Sequence, residues 1–506
     1  MASEARIEAR LKAQDDAQQA NVAALAKEAP REYVLEVIGL GVSLDKHRQG
    51  KLWDALQKGH PFGTIREQDP NKYAWTGDDK LGEEGGASAS ALENGIRGLP
   101  IYWPAPSFYA SNPVDDPNDP ASETDPILGI VAANDSNGLP FTLFVPAGYM
   151  LSDHPDRLLE KAFAFFDEHP DVPYLVLAAS DGLYFRHLNR PNGSPQLIYN
   201  GYYVPSMPAS AALFVLARRE RGEVLRPFAF EDTDQETLGP EQNRTGLARR
   251  LFLAHYELSE QLGRAMGNGR LDRWPTVPEW LAETARFAKR PDVLGPESVS
   301  LLHPSDDVVH VPKGYKPTPW FPIPWNKYQL EVFDRLPTLG YLHRPTYIKL
   351  TDADGKPLTR QSERTAALIK GWQDALLTLP EAQRKGALKR LISSTGDNPD
   401  KLTALINAQA EAGGPELRLD KPSEWINLDP RLGNTGSASW FMGMAIGVMG
   451  SYIDGGVSAA INLRNDREAS LIFISPPPPE KLKAQGSAIF KNQVTPAIDP
   501  ANYAEQ

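Results

Sequence analysis

Two hydrophobic periods alternate along the chain, and each stretch where one of them holds predicts an element. Apolar alternation with β-branched residues in REYVLEVIGLGVSL (Arg31–Leu44) predicts a strand. DKHRQGKLWDALQKG then predicts a helix, with Asp45 at its N-cap and Gly59 at its stop. From there to about Thr124, Gly, Pro, Asp and Asn dominate, which predicts a long irregular loop. DPILGIVAA and LPFTLFVPA read as two strands around the turn NDSNG. HPDRLLEKAFAFFDEHP puts Leu158, Leu159, Ala162, Phe163 and Phe166 at helical spacing. VPYLVLAASDG is the continuous apolar run of a covered strand, and SAALFVLARRERGEVLRPFAF reads as a β-hairpin. Leu247, Leu251, Ala254, Leu258 and Leu262 give an amphipathic helix over Asn243–Met266. TVPEWLAETARFAKR gives another, with Thr276 as N-cap and Pro278 in the first turn. The Pro/Trp-rich connector VPKGYKPTPWFPIPWNKYQL follows.

The second half repeats this grammar. RPTYIKLTDADGKPLTRQSERTAALIKGWQDALLTLP reads strand, turn, helix, and LKRLISSTGDNPD reads as a strand ending in Ser/Gly/Asp. SAAINLRNDREASLIFISP (Ser458–Pro476) parallels SAALFVLARRERGEVLRPF (Ser210–Phe228) step for step. The expected fold class is α/β: two related halves, each strand-helix-strand plus hairpin, joined by a helical and Pro/Trp-rich segment. The expected boundaries are a polar helical or disordered stalk at 1–30, a first α/β domain at 31–230 and the connector at 231–340. A second α/β domain at 341–476 and an extended tail at 477–506 complete the chain.

Composition narrows the functions. With 506 residues the chain can bury a large core, and with no cysteine it has no disulfide, thiolate zinc site or cysteine nucleophile. The net charge is -12, and the densest basic cluster, Arg218–Arg226, is interrupted by glutamates and reads as a solvated turn. Nucleic acid and anionic membrane surfaces are therefore not expected partners. The N-terminal stalk has no apolar core, so it is not read as a signal peptide; an upstream membrane segment is left open.

The stretch GNTGSASWFMGMAIGVMGSYIDGGVSAAINLR (Gly433–Arg464) carries the main chemical question. Its apolar run is too short for a membrane span, which takes about 20 residues. It lacks the lysine of a P-loop, yet the N–H groups of Gly436, Ser437 and Ala438 could hold a small anion at a helix start. No GxSxG elbow occurs, and Ser437 and Ser439 read as cap and first-turn residues. The preferred reading is a buried helix whose Gly443, Gly447 and Gly450 let other elements approach closely. No HExxH occurs among the nine histidines; His303 and His310 flank PSDDVV but read as solvated, so no metal and no cofactor is expected. Asp352, Asp354 and Gly355 read as a β-turn rather than a calcium loop, and Asp78, Asp79, Glu83 and Glu84 as solvated acids of the Gly-rich loop. Trp103, Phe108 and Tyr109 in the long loop, and Trp320, Phe321 and Trp325 in the connector, either present a partner-binding surface or glue the halves together.

Several stretches resemble the type VI secretion lipase adapter family. They include EVIGLGVSLDKHRQGKLWDALQKGHPFGTIREQDPNKYAW, FFDEHPDVPYLVL, KPTPWFPIPWNKYQLEVFDRLPTLGYLHRPTYIKL, DPRLGNTGSASWFMGMAIGVMGSY and INLRNDREASLIFISPP. The resemblance runs from about Arg31 to the C-terminus. It implies a non-catalytic adapter that binds an antibacterial phospholipase effector and hands it to the C-terminal region of the secretion spike protein. It brings no catalytic motif with it. A cytoplasmic location is expected, with an inner-membrane-anchored or periplasmic one as the alternative. Two competing readings stand: a hydrolase using Gly433–Ser439 as oxyanion donors on a lipid or phosphate ester, and an immunity-like binder that silences a toxin.

Overall fold

The computed structural model describes residues 34–99, 104–113, 143–191, 193–229, 277–288, 327–384, 388–412 and 415–486, with a few single positions between them. The first half contains strands β1 (Val34–Leu44), β2 (His47–Arg48), β3 (Pro104–Ser111), β4 (Leu143–Leu151), β5 (Tyr174–Asp181) and β6 (Ser210–Ala217). Its helices are α1 (Gly50–Lys58), α2 (Gly77–Ile96), α3 (Leu158–Glu168), α4 (Leu183–Leu188) and α5 (Glu220–Leu225). Helices α6 (Val277–Ala288) and α7 (Lys327–Arg335) come from the connector. The second half has β7 (Gly340–His343), β8 (Thr346–Lys349), β9 (Leu388–Ser394), β10 (Trp425–Asn427), β11 (Val457–Asn462) and β12 (Glu468–Ser475). Its helices are α8 (Gln361–Leu376), α9 (Glu381–Arg384), α10 (Pro399–Glu411), α11 (Leu428–Leu432), α12 (Ser439–Asp454) and α13 (Pro479–Gln485).

All twelve strands form one mixed sheet, with β1 paired antiparallel to β7 where the halves meet. Outward from that junction one side runs β1-β6-β5-β3-β4 and the other β7-β12-β11-β9-β10. With the short β2 and β8 set aside, the order by rank is identical: first, fifth, fourth, second, third. The senses match too: antiparallel, antiparallel, parallel, parallel. The halves therefore share one topology. The step-for-step match between Ser210–Phe228 and Ser458–Pro476 is nevertheless out of register, because β6 is a fifth strand and β11 a fourth. After β6 the chain forms α5, not the return strand of a hairpin. There Arg221 is buried and donates to the carbonyls of Phe166, His169 and Val172 at the end of α3. Arg219 pairs with Glu36 and donates to the carbonyls of Phe333, Leu336 and Pro337. Two of the arginines read as a solvated turn, Arg219 and Arg221, thus cap helix ends, while Arg226 is exposed as expected.

Two further expectations are corrected. Helix α1 starts at Gly50 rather than at Asp45, because His47 and Arg48 pair back onto β1. Gln49 then bonds its side chain to Val42 N and Leu40 O. The Gly-rich stretch read as a loop contains α2, twenty residues long and capped by Thr76, whose hydroxyl oxygen accepts from Asp79 N. Its small residues are explained by its neighbour. A Cβ on Gly41 would lie 1.6 Å from the carbonyl oxygen of Ala91, and one on Gly39 2.2 Å from that of Gly95.

Other elements match their patterns. The five apolar positions named on α3 are all fully buried. Strand β11 divides its side chains by period two: Ala459 and Ile461 join the core under α8 and α10, and Ala460 joins the larger core under α12. Helix α12 is the buried helix expected, with every residue from Ser439 to Tyr452 covered. A Cβ on Gly447 would lie 2.4 Å from Ile474 Cδ1, and one on Gly450 2.7 Å from the Trp53 ring. Residues 351–357 form the β-turn, with Asp352 Oδ1 accepting from the N–H groups of Asp354 and Lys356. The stalk at 1–30, the strand DPILGIVAA, most of Asn243–Met266 and the pair His303/His310 lie outside the described residues. Among the described residues, no helix is long and apolar enough to cross a membrane, and no group of His, Asp and Glu gathers to hold a metal.

Candidate functional site

The Gly433–Ser439 loop does meet an anion, and the anion belongs to the chain itself. Asp181, at the end of β5 in the other half, is fully buried against it. Asp181 Oδ2 accepts from Ser437 N at 2.8 Å, Ser437 Oγ at 2.8 Å and Arg186 Nη2 at 2.6 Å. Its Oδ1 accepts from Gly182 N at 2.8 Å and Arg186 Nε at 2.9 Å. Gly436 has φ 52°, and a Cβ there would sit 1.9 Å from Asp181 Oδ2, so only glycine fits. Gly436 N donates to Asn434 Oδ1, and Ala438 N to the Thr435 carbonyl. The expectation that Gly436, Ser437 and Ala438 form an open anion site is thereby corrected: all three N–H groups are taken internally. Ser437 does not cap the helix either, since its hydroxyl proton goes to Asp181. Ser437 is fully buried, and the residue its hydroxyl meets is an aspartate, not the histidine of a Ser-His-Asp triad.

The equivalent place in the other half is built alike. Asn462, at the end of β11, donates from Nδ2 to Asp156 Oδ2 at 2.9 Å, just before α3. Burial pushes the Asp156 carboxyl up to about 6. In each case the end of a strand in one half bonds the approach to a buried helix in the other. Arg344, nearly inaccessible, adds ion pairs to Glu160 and Asp167 on α3 at 2.6 and 2.9 Å. Arg157 pairs with Glu468 and lies 4.1 Å from the Tyr347 ring centre. Ion pairs and hydrogen bonds between the halves thus fill the seam around these residues.

The aromatic side chains expected to bind a partner are mostly core. Phe108 and Tyr109 are buried on β3; Phe108 meets Phe165 edge-on at 5.5 Å, and Tyr109 shares a hydrogen bond with Ser180. Trp320 is buried edge-on to Phe165 at 4.9 Å, and Trp325 packs with Tyr174 and Phe333. Trp320 and Trp325 hold the connector to the first half, Phe108 and Tyr109 pack within that half, and all four rings are covered. Trp103 and Phe321 lie outside the described residues.

A different aromatic group faces solvent. Trp75, Tyr199 and Tyr202 are 52%, 56% and 54% exposed. Trp75 meets Tyr202 edge-on at 5.3 Å, and Tyr199 stacks on Tyr203 at 4.4 Å. Beneath them Lys80 is buried with three carbonyls as acceptors: Trp75 and Gly201 at 2.8 Å, Tyr199 at 3.3 Å. Its ammonium also lies 4.6 Å from the Tyr203 ring centre, and burial lowers its pKa. Gly77 N donates to Asn200 Oδ1, and Gly201 N to the Trp75 carbonyl. A cavity of about 210 Å³ opens beside this group, lined by Asp45, Arg66, Tyr73, Lys80, Glu83 and Met207 among others. Burial pushes Glu83 up to about 7 and Glu84 up to about 8. The sequence reading passed over this site. Its signal was NGYYVP (Asn200–Pro205), adjacent tyrosines between Gly and Pro in an otherwise polar run.

Residues 33–200 match the model for the N-terminal part of type VI lipase adapter protein Tla3, and residues 339–476 match the model for its C-terminal part. Together the matches take in more than half of the chain, which therefore belongs to the type VI lipase adapter family. They fall one on each half of the sheet. Among solved structures, the chain is similar to a type II polyketide ketosynthase in complex with its acyl-carrier protein, at 11% identity and TM-score 0.40. That match covers 88% of this chain and 100% of the other. Human mitochondrial 3-ketoacyl-CoA thiolase aligns at 10% identity and TM-score 0.37, over 88% of this chain and 98% of its own. 3-Oxoacyl-[acyl-carrier-protein] synthase III from Aquifex aeolicus aligns at 8% identity and TM-score 0.36, over 87% and 99%. At such scores these likenesses carry no weight for chemistry.

Proposed function

We propose that the protein is a non-catalytic adapter that binds an antibacterial phospholipase effector in the cytoplasm of the producing cell and presents it to the type VI spike protein. The observation that carries this reading is the match of both halves to the lipase adapter family. The filled seam agrees with it, since Ser437 gives its proton to a buried aspartate and the loop donors are spent. An exposed aromatic platform on an acidic chain suits a protein partner better than nucleic acid or an anionic bilayer. The test is size-exclusion chromatography with the phospholipase encoded beside this chain, with and without the spike's C-terminal region. A ternary peak containing active lipase is the expected result. A binary complex with inactive lipase and no spike would instead mark an immunity protein. Absence of any complex would overturn the adapter reading.

A further inference from the structure

Nine large apolar side chains are exposed among the described residues. Five of them, Phe62, Trp75, Leu188, Tyr199 and Tyr202, come from two segments, 62–75 and 188–203. Those segments are tied together by Lys80 and by the Gly77–Asn200 and Gly201–Trp75 bonds, and Arg66 donates to the Pro205 carbonyl. The other four, Val224, Leu377, Ile406 and Ile453, are scattered along the chain. Exposed Trp and Tyr held by a rigid scaffold are the residues that dominate protein interfaces, because little ordering entropy remains to be lost on binding. The scaffold here is unusual: a lysine ammonium is buried with carbonyl acceptors and, among the described residues, no carboxylate within ion-pair distance. That arrangement fixes the backbone under all three exposed rings.

The geometry points to the Trp75–Tyr199–Tyr202 platform as the surface that docks the lipase effector, through an effector patch with an apolar centre and a basic rim. This rests on the adapter reading above. The apolar centre follows from the three exposed rings. The basic rim follows from charge: between positions 69 and 79 the exposed charged side chains are Asp69, Asp78 and Asp79 against Lys72 alone. A second copy of this chain would bring the same acidic rim against its own, and an anionic bilayer would be repelled likewise.

The test measures binding of the purified lipase to the full chain by biolayer interferometry at low and high salt. The double variant Trp75→Ala/Tyr202→Ala should weaken binding by about tenfold or more. Its unfolding midpoint should stay within about 2 °C of wild type, since both rings are half exposed. Asp78→Lys should weaken binding and flatten its salt dependence, whereas Leu377→Ala, far from the platform in sequence, should change affinity by less than about twofold. If the double variant unfolds, Asp78→Lys and the salt dependence decide. Wild-type affinity retained in both platform variants would overturn the docking surface and leave the adapter reading standing. Failure of the wild-type protein to bind would remove both. Capture of the chain by anionic vesicles, lost in the double variant, would reassign the platform to lipid and overturn the inference.

Discussion

Glu84 shows how one side chain can serve structure while looking like surface. It sits on α2 and is almost wholly buried, where its carboxylate oxygens accept from Tyr184 N and Phe185 N at the start of α4. A Cβ on Gly182 would lie 2.0 Å from Glu84 Oε1, so the strand end and the carboxyl fit only with glycine between them. Burial raises its pKa to about 8 against the pull of the two N–H donors. A carboxyl raised on folding stabilises the protein fully below its unfolded value of 4.5, and that contribution is lost as pH rises towards about 8. Glu83, raised to about 7, acts with the same sign. His343, lowered to about 4 by burial, works oppositely, adding stability as pH rises towards 6.5. Above about pH 6.5 His343 has made its full contribution, and Glu83 and Glu84 pull stability down. The unfolding midpoint should therefore fall from there to about pH 8.5. Glu84→Gln keeps an acceptor and the shape but cannot ionise. Its NH2 would face the N–H of Phe185 or Tyr184, so it should flatten that fall without raising stability overall, checked by thermal melts across pH.

At the scale of elements, the contest is between local propensity and close packing. Helix α2 carries glycines that disfavour a helix by about 1 kcal/mol each relative to alanine, which is why GDDKLGEEGGASASALENGI reads as a loop. It is a helix because its small face, Ala87, Ser90, Ala91 and Gly95, lies against β1 and β6, where a larger side chain would not fit. The two sets of glycines can be told apart. Gly41→Ala should be destabilising by about 3 kcal/mol or more, because its methyl meets backbone that cannot turn aside. Gly82→Ala, with nothing within 4 Å of the new methyl, should stabilise by up to about 1 kcal/mol. Urea melts of the two variants measure both signs. A loss in both would mean that α2 is not helical there.

At the scale of the molecule, one sheet and one charged seam make two halves of equal topology into a single body. The strands join at β1 and β7, α12 reaches from its own half to β1 and β6, and Arg344 anchors the second half to α3 of the first. Arg344 is nearly inaccessible, so removing its charge takes an ion-pair partner from both Glu160 and Asp167 in a partly buried seam. Arg344→Met should cost about 3–5 kcal/mol. Unfolding should remain one transition by both tryptophan fluorescence and circular dichroism. Two separated transitions would show that the halves fold independently.

Wherever period and burial coincide, the amino-acid pattern alone determined the outcome. The α3 stripe, the covered strand β5, the β11–β12 hairpin and the glycine-studded buried helix α12 were legible because each element's own residues carry its hydrophobic face. The family was legible from wording spread over both halves. What only the tertiary structure decided are the features whose cause lies in another part of the chain. Helix α2 depends on the glycines of β1, α5 on the helix end that Arg221 caps, and the Ser437 loop on an aspartate 256 positions away. The aromatics were sorted the same way. Phe108, Tyr109, Trp320 and Trp325 are core, and Trp75, Tyr199 and Tyr202 are surface, because exposure belongs to the packed chain and not to a residue type.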